Sequence, residues 1–116
     1  MIVGIGVDIV DISRLEAALL RTPALASRLF ADSERAAPIA TLAGTFAAKE
    51  AAVKAMGVPY GVSFADALVI RDSRGRPTLE MRGAAVAVAA ELGISSWHLS
   101  ISHDGGMCIA MVVAER

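Results

Sequence analysis

Aromatic side chains are scarce in this sequence. Phe, Trp and Tyr make up 4% of its 116 residues, so the core must be assembled from small residues, alanine above all, which limits stability. Cysteine occurs once. Cys108 therefore makes no intrachain disulfide, and its place in the unbroken apolar run Met107–Ala114 predicts a small core residue. Charge of one sign is not in excess. The net charge of −1 excludes a bulk field that draws the whole protein to nucleic acid or membrane. No apolar run approaches the ~20 residues of a membrane span. The N-terminus begins directly with strand-like sequence and has no basic leader, which predicts a cytoplasmic enzyme or binding module. Repeats and low-complexity linkers are also absent.

What is present is apolar content. Hydrophobic residues reach 55% without counting glycine, above the roughly 45–50% usual with glycine included. The length predicts one domain over 1–116. Such a chain buries roughly two-thirds of its unfolded surface. The surplus apolar surface predicts burial against other copies of the chain.

The patterns give the order of elements. Ile2–Ile12 reads as a strand, with Val3, Ile5, Val7 and Ile9 on one face and Gly4, Gly6 and Asp8 on the other. Ser13 and Glu16 form a capping box for a helix to about Arg21. Thr22-Pro23 restarts a short helix to about Phe30, and Asp32 or Ser33 caps a further turn. Pro38 opens the longest helix, which Gly57 closes. Ala67–Arg71 and Thr78–Met81 are strands joined by the turn Asp72-Ser73-Arg74-Gly75. Gly83–Leu92 is a helix closed by Gly93. Trp97–His103 and Met107–Glu115 are strands around Asp104-Gly105-Gly106. The expected class is α+β, a largely antiparallel sheet packed against a long helix.

Chemistry-bearing residues stand where these patterns break. Asp8 is a carboxylate in a strand, beside glycines that leave room for a ligand. The missing third glycine excludes a dinucleotide fingerprint. Glu50 lies at the margin of a helical stripe of Ile39, Leu42, Phe46 and Val53, where a charge needs a partner. The plain alternative is an i,i+4 pair of Glu50 with Lys54. His98, Ser100, Ser102 and His103 share one strand, but no Gly-x-Ser-x-Gly elbow supports a serine nucleophile. Arg14, Arg21 and Arg28 recur every seven residues. An unbroken helix would place them on one face, a dock for an acidic partner. Pro23 interrupts it, and a solvated basic side is the alternative.

Three of these segments together resemble the holo-[acyl-carrier-protein] synthase family of phosphopantetheinyl transferases. They are Gly4-Ile5-Gly6-Val7-Asp8-Ile9-Val10, Phe46-Ala47-Ala48-Lys49-Glu50-Ala51 with Lys54-Ala55, and His98-Leu99-Ser100-Ile101-Ser102-His103. They fall in the family's order, and the resemblance spans the whole chain. It implies transfer of 4′-phosphopantetheine from coenzyme A to a serine of apo acyl carrier protein. It implies Asp8 and Glu50 as magnesium ligands and Lys54 near the coenzyme A phosphates. His103 and its turn would help hold coenzyme A. Arg14, Arg21 and Arg28 would meet the acidic helix of acyl carrier protein. Small members of the family are homotrimers with active sites between subunits.

The chemistry suits those residues. Phosphoryl transfer asks for positioning and charge neutralisation. Magnesium needs only one or two carboxylates beside substrate phosphates. Lys54 would neutralise or protonate the departing phosphate, and Glu50 or another carboxylate would receive the serine proton. Thr45 departs from the arginine of many family members, which predicts a displaced coenzyme A phosphate contact. The short Gly57–Phe64 segment, with Pro59, is a second departure. Two other readings stand beside this one. One is a non-catalytic carrier-binding or trimeric scaffold module. The other is a serine hydrolase built on Ser100 or Ser102.

Overall fold

The alternation beginning at Ile2 is strand β1 (Ile2–Asp11), and the chain turns from it straight into helix α1 (Ile12–Arg21). The computed structural model describes residues 1–57 and 63–116. Short helix α2 (Leu25–Leu29) and a turn lead to the long helix α3 (Ile39–Met56). A 3₁₀ turn (Phe64–Asp66) precedes the hairpin β2 (Ala67–Arg71) and β3 (Pro77–Met81). Helix α4 (Ala84–Glu91), β4 (Ser96–Asp104) and β5 (Met107–Glu115) complete the chain. The class is α+β, as expected. The antiparallel strands form two sheets, a three-stranded one in the order β1-β5-β4 and the separate β2-β3 ribbon. The Gly57–Phe64 departure falls largely outside the described residues.

Local signals misplaced three caps. Asp11, not Ser13, caps α1, because β1 runs to Asp11 with no intervening loop. Its side chain accepts from the Arg14 amide at 3.0 Å, and Asp serves as well as Ser there. Thr22 closes α1 instead of opening α2, and α2 has no side-chain cap. The turn after α2 is capped by Glu34, whose Oε1 accepts from the Ala31 amide at 2.8 Å; Asp32 pairs with Arg35 instead. Gly57 ends α3 as expected, with φ 70°.

The largest departure concerns α3. A single apolar stripe was expected, but the helix is buried on nearly every side. Ala43, Ala47, Ala48, Ala51 and Ala52 are fully buried, while the stripe residues Ile39, Phe46 and Val53 are only partly so. The reason is position: α3 lies on β1 and β5 and is covered by α1 and the β2 segment. Small side chains let the backbones approach. Gly4 and Gly6 complete that approach from the strand. A Cβ on Gly4 would sit 1.9 Å from the Ala55 carbonyl oxygen, and one on Gly6 1.8 Å from that of Ala51. The room beside Asp8 is therefore filled by helix backbone, not left for a ligand.

The opposite face of the three-stranded sheet is bare. Ile5, Val7, Ile9, Ile109 and Met111 point there and are 43–61% exposed. Cross-strand pairing sets Val7 beside Met111 and Ile9 beside Ile109, so the five form one continuous apolar patch.

Candidate active site

Asp8 follows Gly4 and Gly6 on the helix-facing side of β1, at the point where α3 exposes Glu50. The two carboxylates line one cleft of about 430 Å³, with Arg14, Leu15, Leu29 and Phe46 among its walls. Partial burial pushes the Glu50 carboxyl above its ordinary range. The Asp8 charge pushes the same way, and Lys54 opposes it. A carboxyl held above its range beside a second carboxylate marks a site short of positive charge. Lys54 supplies part of it. Its ammonium donates to Asp8 Oδ1 at 3.0 Å and to the Val7 carbonyl at 3.0 Å. The ion pair of Lys54 is thus with Asp8, not the i,i+4 pair with Glu50.

Among the described residues, no group of three or more His, Cys, Asp or Glu side chains converges. The protein offers a cation Asp8 and Glu50, and the remaining positions fall to ligand or water oxygens. That donor set fits magnesium, which keeps waters and takes one or two carboxylates with phosphate oxygens.

His103 stands elsewhere. Its Nε2 lies 2.9 Å from the Ala40 carbonyl. Gly44 makes room for the ring, since a Cβ there would lie 3.2 Å from the imidazole. His103 lines two shallow cavities with the Asp104–Met107 turn, and neither is lined by Asp8 or Glu50. His98 bonds Glu115 at 2.9 Å, which holds that carboxyl below its usual range. Neither histidine is hydrogen-bonded to Ser100 or Ser102 among the described residues, so no serine–histidine couple forms. Arg14 and Arg21 are exposed on α1, while Arg28 is exposed on the separate α2. Thr45 is buried and presents nothing to a ligand.

The sequence reading passed over Lys49 and Glu34. Lys49 is 0% exposed and forms a 2.8 Å ion pair with buried Glu34. Burial pushes its ammonium below the ordinary value, against the pull of Glu34. The available signal was a lysine set among Ala47, Ala48, Ala51 and Ala52, in the middle of a buried helix.

Residues 4–112 match the family described as the 4′-phosphopantetheinyl transferase superfamily, and the chain belongs to it. Its relatives carry a narrower name. A holo-[acyl-carrier-protein] synthase of Frankia alni is 53% identical over 115 residues, 98% of each chain. The crystal structure of the Neisseria meningitidis holo-[acyl-carrier-protein] synthase superposes over 100% of both chains, with TM-score 0.91 and 35% identity. The Helicobacter pylori enzyme, crystallised in complex with coenzyme A, covers 96% of this chain and 99% of its own, with TM-score 0.86 and 33% identity.

Proposed function

We infer that this chain transfers 4′-phosphopantetheine from coenzyme A to a serine of apo acyl carrier protein. The products are holo carrier protein and adenosine 3′,5′-bisphosphate. The observation that carries the reading is the Asp8–Glu50 pair, brought from β1 and α3 into one cleft whose rim holds Arg14. Close full-length relatives named for this activity support it.

Asp8 and Glu50 would hold magnesium, which when bound supplies the positive charge that phosphoryl transfer requires. Lys54 orients Asp8 through their ion pair. With its side chain 52% exposed, it also reaches outward to a phosphate of coenzyme A. Glu50 lines the cleft beside Asp8 and is the carboxylate placed to receive the proton of the attacking serine. His103 has Nε2 engaged with Ala40, so Nδ1 is the atom it offers to coenzyme A. The chain acts as one domain over 1–116, in the cytoplasm, on the carrier protein of fatty acid biosynthesis.

Incubation with coenzyme A, magnesium and apo acyl carrier protein tests the reading by mass spectrometry. The carrier should gain the mass of phosphopantetheine, and only with magnesium present. An unmodified carrier sinks the transferase reading; acylation of Ser100 or Ser102 by a separately added activated ester, with release of its alcohol, would support a hydrolase in its place.

Arg14 and Arg21 dock the acidic helix of the carrier. Exposed charges of this kind act mainly on encounter. Arg14→Glu or Arg21→Glu should raise the KM for carrier on the order of tenfold at low salt and flatten its salt dependence. An unchanged KM at low salt would place the docking surface elsewhere.

The active enzyme is a homotrimer. The bare apolar face of β1 and β5 is the surface a second copy covers, and the number three follows the family. Among the described residues, His103 and the Asp8–Glu50 pair line separate cavities, which suits a site completed by the neighbour's His103. Subunits carrying Glu50→Ala and His103→Ala, mixed after dissociation, should regain part of the activity. A fully active monomer at assay concentration, seen by mass photometry, would exclude a shared site.

A further inference from the structure

The buried Lys49–Glu34 pair is more than one contact. The Lys49 ammonium donates to Glu34 Oε1 at 2.8 Å and to the carbonyls of Phe64 and Ala67, each at 2.7 Å. All three of its N–H groups are thereby used. Glu34 in turn accepts from the Ala31 amide at 2.8 Å and from the Val69 amide at 2.9 Å. One ion pair thus ties the turn after α2, the middle of α3 and the start of β2.

Each tied segment bears on the cleft. Ala31 lies two residues beyond Leu29, which lines it. Phe64 packs its ring edge-on against Phe46, with centroids 5.9 Å apart and planes at 64°, and Phe46 is a cleft wall one turn before Glu50. Lys49 immediately precedes Glu50. An apolar pair of similar size would fill the same volume. It would leave the Phe64 and Ala67 carbonyls and the Ala31 and Val69 amides without these partners. Directional bonds, unlike apolar packing, fix one arrangement of segments.

We propose that Lys49 and Glu34 are positioning residues for the transfer reaction, holding the Leu29 and Phe46–Phe64 walls in register with Glu50. The inference rests on the transferase reading, which wild-type turnover in the same assay tests by itself.

The test separates scaffold from positioning by removing both charges at once. Lys49→Met alone strands the Glu34 carboxylate. Lys49→Met with Glu34→Gln removes the ion pair without leaving a lone charge, so it should recover much of the lost stability. The measurements are the guanidinium midpoint, kcat, the KM for carrier, and the coenzyme A affinity by calorimetry. In the double variant, kcat should stay at least about tenfold below wild type, the scale of a misplaced catalytic group. The KM for carrier should stay within about twofold, because the pair does not hold the α1 docking face. Coenzyme A affinity should fall with kcat. Phe64→Ala probes the same wall without touching the pair and should lower kcat several-fold with a smaller stability loss. A double variant that regains wild-type midpoint and wild-type kcat together would overturn the proposal. If the double variant does not fold, Phe64→Ala decides, and wild-type kcat and coenzyme A affinity there would overturn it equally.

Discussion

Glu50→Gln and Asp8→Asn are each expected to lower phosphopantetheine transfer by roughly 100- to 1,000-fold or more, the scale of losing a principal group that stabilises transition-state charge. Both substitutions keep the side-chain shape and remove one charge, so the loss cannot be assigned to packing. Stability should move the opposite way for Glu50. Its carboxyl is held above its ordinary range by burial and then by Asp8, so the ionised form is disfavoured in the folded protein. A carboxyl with a raised folded pKa contributes stability that is fully present below the unfolded value of 4.5. That contribution is lost as pH rises through the folded pKa. At neutral pH, metal-free Glu50→Gln should therefore melt above metal-free wild type. Magnesium with coenzyme A should stabilise wild type and leave the variant nearly unmoved. Thermal melts with and without magnesium, beside the mass assay, check both halves. Turnover near wild type in either variant at defined magnesium would remove these carboxylates from the metal site.

Gly6→Ala should be the most damaging single methyl in the sheet. Its Cβ would sit 1.8 Å from the Ala51 carbonyl oxygen and 2.9 Å from the Ala55 amide nitrogen. Both are helix backbone and cannot rotate away, so α3 must lift from β1. Overpacking of this kind costs about 3 kcal/mol or more, a large part of a total stability of roughly 5–15 kcal/mol. The site suffers as well. Gly6 is two residues from Asp8, and Ala51 is next to Glu50, so the same lift separates the two carboxylates. Gly57→Ala is the control. Its Cβ would meet nothing within 4 Å, and only the left-handed φ of 70° opposes it, a cost of about 1–2 kcal/mol. Guanidinium titrations should place Gly6→Ala well below Gly57→Ala. Equal midpoints would show that the helix does not depend on this approach.

Much of the fold was legible because its signals are local. A period of two from Ile2, the glycine stop at Gly57 and the Asp72–Gly75 turn need only near neighbours. The helix stripe misled, because periodicity identifies the more apolar side of a helix but not how many sides are covered. The cap at Ser13 failed for a related reason: two good capping residues stood close together, and the end of β1 chose between them.

The site divides in the same way. Asp8 and Glu50 stood out in the sequence as charges interrupting apolar patterns, and the three motifs tied them to one chemistry. The sequence by itself determined the residue types, their order and the elements that carry them. Only the tertiary structure decided the partners. Lys54 turns to Asp8, 46 positions away, although Glu50 is one helical turn behind it. Lys49 reaches carbonyls 15 and 18 positions on, and Glu34 reaches the Val69 amide 35 positions on. Helical and strand periods describe direction from a local axis. An ion pair depends on distance and burial, and both are set only when separate elements pack against one another.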